Sequence, residues 1–188
     1  MRLCRAGRSR QPPTSSLDSR RARALPFSAV PQLSLHSPIG DISVSQEDGA
    51  IVAVDWGWGS EQTETSLLRR ACEQLHAYFD GELIDFSLPL APGGTPYRRR
   101  VWQALSAIPY GATRSYLDIA HAAGGSARSV GQANAANPIP IIIPCHRVLA
   151  TTHLGGYSGG EGLATKRWLL ALEAHALPLL QPIPSAAA

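Results

Sequence analysis

The sequence changes its pattern at the stretch PLAPGG, residues 89–94, and this change most limits the folds open to the chain. Before it, apolar and polar residues alternate in three short runs, LSLH, DISVSQ and AIVAVDW, as they do in half-buried β-strands. After it, apolar residues recur at helical spacing in several short segments. The chain is therefore predicted to be an α+β protein, with a small N-terminal antiparallel sheet and covering helix followed by a mostly helical C-terminal domain.

The N-terminal domain is expected to span residues 32–92. Asp48-Gly49 separates the second and third alternating runs, and this dipeptide favours a hairpin turn. The segment SLLRRACEQLHAYFDG then predicts a helix that ends just before its glycine. One stripe of that helix carries Leu68, Cys72, Leu75 and Phe79, so Cys72 is expected in the core. No pattern in this domain indicates catalysis.

The C-terminal domain is expected to span residues 93–177, and its first and last helices each show an apolar stripe. The first follows a good N-cap, Thr95, with Pro96 at its first position. The last covers about residues 164–176. The stripe of the first helix comprises Tyr97, Val101, Leu105 and Ile108.

Between them, two short helices joined by Gly124-Gly125 form a candidate helix-turn-helix of the winged-helix kind. One begins at Ser115, which makes a capping-box pattern with Asp118. The other runs from Ala127 to about Ala136 after an N-cap at Ser126. Helical hairpins are common structural units, so this pattern alone does not indicate DNA binding.

The second of these helices has an unusual surface, because it carries almost no bulky side chains. Arg128 stands in its first turn, and small residues follow. Tight packing against a neighbouring helix would explain the small residues, and the pattern alone favours that interpretation. A helix thin enough to lie in a DNA groove, with one long basic side chain, would also explain it. The small residues are Gly131, Ala133, Ala135 and Ala136.

Charge is unevenly distributed along the chain. Residues 1–25 carry seven arginines and one aspartate, residues 26–90 carry two basic and ten acidic side chains, and residues 91–188 carry eight basic and three acidic ones. A basic C-terminal half suggests a polyanionic partner. The arginine-rich residues 1–31 are predicted to be a disordered basic tail, although a transit peptide or a misassigned start codon would look the same. Residues 178–188 are predicted to be a flexible tail.

Composition excludes several classes of protein. The chain is 44% hydrophobic with three scattered cysteines, which is typical of a globular protein and not of a disulfide framework. It shows no signal-peptide pattern and no apolar run near the roughly 18 residues that a transmembrane helix requires. We therefore expect reduced thiols, a cytoplasmic location and no membrane association.

The segment NPIPIIIPCHRVLA, residues 137–150, places a cysteine and a histidine side by side after an isoleucine run. Apolar surroundings make a thiol inert, whereas an imidazole network can make it nucleophilic. Taken alone, the run favours a buried structural thiol at Cys145.

Four segments together resemble one family, the O6-alkylguanine-DNA alkyltransferases, also called methylated-DNA–protein-cysteine methyltransferases. They are GTPYRRRVWQALSAIPYGATRSYLDIA, ARSVGQANAANPIPIIIPCHRV, GGYSGG and KRWLLALE, in that order. The likeness covers about residues 36–176, and PCHRV with NP upstream is highly specific. It implies a ribonuclease-H-like N-terminal domain and a DNA-binding C-terminal domain.

The resemblance implies a role for each matching residue. Cys145 would accept the alkyl group, His146 would act as its base through a water, and Glu173 would orient His146. Asn137 would brace the loop, and Arg128 would enter the base stack with its helix in the minor groove. The substrate pocket would be lined by Asn137, Tyr116, Tyr157, Ser158, Lys166 and Pro140, and DNA would be bound by Arg128, Ser126, Ala127, Gly131 and Ala135.

The implied reaction is suicide repair of double-stranded DNA. The protein would flip O6-alkylguanine out of the duplex and transfer the alkyl group irreversibly to its own cysteine. O4-alkylthymine is a second candidate substrate. A monomer with no cofactor would suffice, because the substrate is the alkyl donor. Some relatives bind zinc in the N-terminal half, but no credible metal-ligand set is present here.

Three loops depart from the family pattern: the turn before Arg128 is about two residues short, the segment before Tyr157 one residue short, and the segment after it about two residues long. Because these changes lie in loops, they are expected to affect pocket shape and substrate range more than the chemistry. Two other functions remain open. A binding module of this fold would lack the cysteine, and a cysteine hydrolase would need direct contact between Cys145 and His146, which adjacent side chains make poorly.

Overall fold

The computed structural model describes residues 30–180, with side chains described as far as residue 175. The predicted basic tail, including Cys4, lies outside the described residues except for positions 30 and 31, and so do residues 181–188. Within the described part of the chain, none of the helices has both the length and the apolar character needed to cross a membrane.

The three alternating runs form an antiparallel sheet, as predicted. Its strands are β1 (Gln32–Leu35), β2 (Ile42–Glu47) and β3 (Ala50–Trp56), with β2 in the centre. Asp48 and Gly49 connect β2 to β3 with φ angles of 48° and 77°, the left-handed backbone that an Asp-Gly hairpin turn requires. The hairpin therefore fixes the register that buries one face of the sheet.

Helix α1 (Ser66–Phe79) packs against this sheet and completes the core of the N-terminal half. The Thr65 hydroxyl caps it by accepting a hydrogen bond from the Leu68 amide at 3.1 Å. The predicted stripe of Leu68, Cys72, Leu75 and Phe79 is buried, which confirms Cys72 as a core residue. Gly81 follows the helix with a φ of 75°.

The edge of β3 that faces away from β2 joins the two halves of the chain. Ile51 donates to the carbonyl of Pro89 and accepts from the amide of Ala91, so the linker continues alongside the strand. Further along the same edge, the Val54 amide donates to the Pro138 carbonyl at 2.9 Å. Strand β3 therefore contacts the segment that carries Cys145 and His146.

Three helices build the C-terminal core: α2 (Pro96–Ser106), α3 (Tyr116–Ala123) and α4 (Ala127–Ala135). The predicted caps at Thr95, Ser115 and Ser126 are all present, and Ser115 forms its capping box with Asp118. Gly124 and Gly125 connect α3 to α4 with positive φ, which confirms the predicted helix-turn-helix.

The buried face of α2 differs in part from the predicted stripe. Val101 and Leu105 are buried, but Tyr97 is half-buried and Ile108 lies beyond the helix end. Trp102 is buried as well, and its indole Nε1 donates to the Ala133 carbonyl of α4 at 2.9 Å. The indole bond fixes the position of α4 on α2.

Two short strands and a long helix complete the described chain. β4 (Arg114–Ser115) and β5 (Val148–Leu149) pair in parallel. Helix α5 spans Leu163–Leu180, so it begins one residue before the predicted segment, residues 164–176, and ends four residues after it. Leucine and alanine favour helix, and residues 178–180 of the predicted flexible tail are helical.

Candidate active site

The segment that ends at Cys145 follows a bend braced by one side chain. The Asn137 amide nitrogen donates to the Ile143 carbonyl at 2.8 Å, and its amide oxygen accepts from the Ile139 amide at 3.1 Å. One asparagine thus satisfies backbone groups on both sides of the bend, which buried backbone requires. Asn137 lies where the resemblance placed a loop brace.

Two consecutive tight turns shape the segment between this bend and Cys145. Ile142 donates to the Pro140 carbonyl at 2.9 Å across Ile141, and Cys145 donates to the Ile143 carbonyl at 2.8 Å across Pro144. Both are three-residue γ-turns. Ile141 has a φ of 73°, which costs a β-branched residue about 1–3 kcal/mol and persists only where surrounding packing enforces it. Ile139, Ile141 and Ile143 are almost completely buried and supply that packing.

Cys145 opens a single turn of 3-10 helix, Cys145–Arg147, and is only 4% exposed. Burial raises the pKa of its thiol, while the nearby Asn137 side chain, the charge of Lys166 and the nearby Tyr157 hydroxyl oppose that shift. The thiol is therefore protonated at neutral pH and needs a base before it can attack an electrophile.

His146, the residue after Cys145, forms a buried pair with Glu173. The His146 Nε2 lies 2.7 Å from a Glu173 carboxylate oxygen, and both side chains are inaccessible to solvent. Burial lowers the pKa of His146, only partly offset by Glu173, so the ring is neutral at neutral pH. Because the carboxylate accepts, Nε2 carries the proton and Nδ1 keeps its lone pair. Nδ1 is buried and has no hydrogen-bond partner among residues 30–175.

The Glu173 carboxylate is the centre of a larger network. It accepts from the Tyr78 hydroxyl at 2.8 Å, from the Gly111 amide at 3.1 Å and from the Arg147 guanidinium at 3.0–3.1 Å. Burial alone would raise the pKa of Glu173, but its hydrogen bonds with His146 and Arg147 and the positive charge of Arg147 lower that pKa to about 2. The carboxylate is therefore ionised and fixed in orientation.

Lys166 is also completely buried, and its ammonium holds the next loop in place. It donates to the carbonyls of Val148 at 2.6 Å, Leu154 at 2.5 Å and Gly156 at 3.2 Å. Burial lowers its pKa to about 8, against the opposing effect of Cys145. Lys166 thus joins both ends of the loop that leads to Tyr157.

A cavity of about 280 Å³ reaches the thiol from the side of α4. Its wall combines Tyr116 at the start of α3 with the loop around Tyr157 and Ser158, and the Ser158 hydroxyl donates to the Ala135 carbonyl at 3.4 Å. A second cavity, of about 170 Å³, reaches Cys145 from the end of β3 and includes Asn137 and Pro140 in its wall. The first cavity is lined by Tyr116, Gly131, Asn134, Ala135, Cys145, Gly156, Tyr157 and Ser158.

Helix α4 presents one small-residue face to this cavity. Arg128 and Ala135 are exposed, Gly131 is half-buried, and a Cβ added at Gly131 would meet only the Tyr116 ring, at 3.9 Å. Packing within the protein therefore does not require the glycine. Ala133 does not belong to this face, because it is 1% exposed and lies against Trp102. Ser126 and Ala127, at the start of the helix, are exposed.

Several residues of the site were not predicted from the sequence. Tyr78 and Gly111 reach Glu173 from other elements, and Asn134 donates to the Cys145 carbonyl at 3.3 Å. Arg147 lies within the quoted motif, but its bond to Glu173 was not anticipated. A buried tyrosine hydroxyl needs a partner, so the AYF end of α1 was a usable signal for Tyr78.

Comparisons with known proteins identify the same family in both halves of the described chain. The family model described as "6-O-methylguanine DNA methyltransferase, ribonuclease-like domain" matches residues 33–92, and the one described as "6-O-methylguanine DNA methyltransferase, DNA binding domain" matches residues 96–175. The constitutive methylated-DNA–protein-cysteine methyltransferase of Bacillus subtilis is 43% identical over 73% of this chain and 91% of its own length. A Mycobacterium leprae protein of the same name, without "constitutive", is 44% identical over 76% and 91%. The Mycobacterium tuberculosis OGT solved in complex with DNA superposes with a TM-score of 0.71 at 40% identity, covering 78% of this chain and 94% of that one.

Proposed function

The chain belongs to the 6-O-methylguanine DNA methyltransferase family, and from this premise we propose that Cys145 is the residue that accepts the alkyl group. Its function is DNA repair by alkyl transfer to a cysteine. The observation that carries the assignment is the position of the Cys145 thiol, which meets both cavities and neighbours the buried His146–Glu173 pair. Cys72, by contrast, is packed between α1 and the sheet.

The transfer itself is a displacement at the alkyl carbon. His146 Nδ1 takes the thiol proton through a water, and the thiolate of Cys145 forms the S–C bond. The C–O6 bond breaks, its electron pair goes to the guanine, and the guanine takes up one proton. The product thioether has no good leaving group, so each molecule acts once. The substrate supplies the alkyl group, and no cofactor enters these steps.

The remaining pocket residues position this step. Glu173 holds the His146 ring with Nδ1 free, and Asn137 and Lys166 hold the segments on either side of the thiol. Tyr116, Tyr157 and Ser158 would contact the flipped guanine in the first cavity, and Pro140 would contact the alkyl group in the second. Helix α4 forms one wall of the cavity of about 280 Å³, and a duplex lying along α4 would bring the flipped base to this cavity.

The duplex would lie along α4, with the helix in the minor groove. The small face formed by Gly131 and Ala135 permits close approach, and Ser126 and Ala127 would face phosphates at the helix start. Arg128 is exposed in the first turn, where it would fill the place of the flipped nucleotide. We assign the DNA-binding unit to residues 93–177 and the ribonuclease-like unit to residues 32–92, and we expect a cytoplasmic monomer.

The test is to incubate the protein with an excess of duplex containing one O6-methylguanine and to weigh the intact protein. We expect one added methyl group per molecule, on the peptide containing Cys145, and no further repair afterwards. Repeated turnover would contradict the suicide mechanism and favour a hydrolase. Unmodified protein that still binds the lesion would favour a binding module.

Arg128→Ala should slow methyl transfer from duplex DNA about 10- to 100-fold, because flipping a base costs a few kcal/mol that the inserted side chain offsets. Transfer from free O6-alkylguanine should stay close to the original rate. Arg70→Ala, which removes an exposed arginine from α1, is the matched control and should change neither rate. Equal losses on duplex and free base would refute the insertion role.

A further inference from the structure

The N-terminal half contributes directly to the second cavity. Val54, Asp55 and Trp56, at the end of β3, line it together with Cys145 and Tyr157. The first cavity has no lining residue from the three-stranded sheet, and α4 supplies part of its wall. If the guanine occupies the first cavity, as proposed above, the part of the alkyl group beyond the reacting carbon extends into the second.

The Trp56 ring forms a fixed wall of this second cavity. It stands edge-on to Tyr157, with ring centroids 6.4 Å apart and planes at 88°. It also lies against two glycines, since a Cβ added at Gly159 would come within 2.3 Å of the ring and one at Gly160 within 2.6 Å. The bond from Val54 to Pro138 ties the same strand to the active-site segment. The ring therefore has little freedom to move away.

The second cavity has room for an alkyl group larger than methyl, but its volume sets an upper limit to the size of that group. At about 170 Å³ it is close to the roughly 150 Å³ of an engineered protein cavity that binds benzene. A short chain or one aromatic ring fits in this volume, whereas two fused rings exceed it and would press on the walls, of which the Trp56 ring is one. Asn134, whose Oδ1 has no partner among residues 30–175, lines both cavities and makes the passage between them polar on one side.

We propose that Trp56 sets the upper size of the alkyl group that Cys145 accepts. This inference rests on the proposed function, since it concerns the same transfer: the S–C bond forms, the C–O6 bond breaks, and only the space beyond the reacting carbon differs. A residue of the ribonuclease-like unit thereby determines the substrate range of a reaction carried out by the DNA-binding unit.

The experiment compares transfer rates from duplexes carrying O6-methyl-, O6-benzyl- and O6-(2-naphthylmethyl)guanine. With the unaltered chain, we expect a fall of about tenfold or more from benzyl to naphthylmethyl, in the range that one misfitting group in a hydrophobic pocket produces. Trp56→Ala should remove most of that fall, so that the ratio of the benzyl rate to the naphthylmethyl rate approaches one. Trp58→Ala is the matched control: Trp58 lies two residues away, is 51% exposed and does not line the cavity, so its variant should keep the original ratio.

Two results would overturn the inference while leaving the proposed function intact. One is an unaltered chain that transfers naphthylmethyl as fast as benzyl. The other is a Trp56→Ala variant that keeps the original ratio or slows on all three substrates equally. If circular dichroism shows that Trp56→Ala is unfolded, Trp56→Leu, which keeps an apolar contact with Gly159, is measured with the same expectation. An unaltered chain that transfers no methyl group would refute the proposed function itself.

Discussion

Cys145→Ala should abolish methyl transfer and leave the affinity for duplex DNA within about threefold, because phosphate contacts supply most of that affinity. The substitution removes the only sulfur that meets both cavities in the described part of the chain. Repair would be measured as loss of O6-methylguanine from a labelled duplex, and affinity by fluorescence anisotropy at a stated salt concentration.

Cys72→Ala is the matched control for this experiment. Burial, with the nearby charge of Glu73, raises the pKa of Cys72 to about 11, so it contributes almost no thiolate at neutral pH. We expect that variant to repair at the original rate, with a stability loss of about 1–2 kcal/mol from the vacated core volume. Residual transfer by Cys145→Ala, or loss of transfer by a folded Cys72→Ala, would place the acceptor elsewhere.

Glu173→Gln should combine a large loss of activity with a large loss of stability. Without the carboxylate, the buried Arg147 guanidinium lacks its counter-charge, which typically costs about 3–5 kcal/mol. His146 also loses the group that fixes its tautomer and strengthens it as a base, so transfer should slow about 10²- to 10⁴-fold. Denaturant unfolding and single-turnover rates measure the two effects separately.

The pH dependence of stability and of the transfer rate distinguishes two roles of Glu173, positioning His146 and stabilising the fold. The pKa of Glu173 is about 2 in the folded protein against 4.5 for an ordinary glutamate, so its contribution to stability is complete above pH 4.5 and is lost as the pH falls toward 2. The stability gap between the unaltered chain and Glu173→Gln should therefore narrow over that range. Glu173 also raises the pKa of His146, so the acid limb of the rate profile should move to lower pH in the variant.

Glu161→Gln is the matched control for Glu173→Gln, because Glu161 is an exposed glutamate near the start of α5, the helix that carries Glu173. It should change neither the unfolding free energy nor the rate profile beyond the small effects of a surface charge. A rate loss in Glu173→Gln without any shift of the acid limb would argue against its role in setting the basicity of His146.

The sheet, the caps and the helix-turn-helix could be predicted because each depends on neighbouring residues. Asp48-Gly49 specifies a turn, Ser115 specifies a helix start through Asp118, and alternation specifies a buried strand face. These are local preferences that adjacent side chains satisfy whatever the rest of the chain does.

The contacts that complete the site could not be predicted in the same way. Ile141 adopts a φ that isoleucine avoids, and only the surrounding core explains it. The sequence predicted Trp56 only as the end of a strand. Its contact with Gly159 depends on how β3 packs against a loop about a hundred residues later in the chain. The proximity of Cys145, His146 and Glu173 was inferred from a family resemblance and not from their spacing.

The hydrogen bond between Tyr78 and Glu173 has a consequence for how the protein matures. It joins residues 95 positions apart in the sequence. The Glu173 carboxylate also accepts hydrogen bonds from Gly111 and Arg147, so its network is complete only when all three partners are in place. Contacts of such separation close late in folding, because the entropy of a long loop must be overcome first. We therefore expect a newly made chain to complete the network around Glu173 only after Tyr78 of the N-terminal half has docked against it.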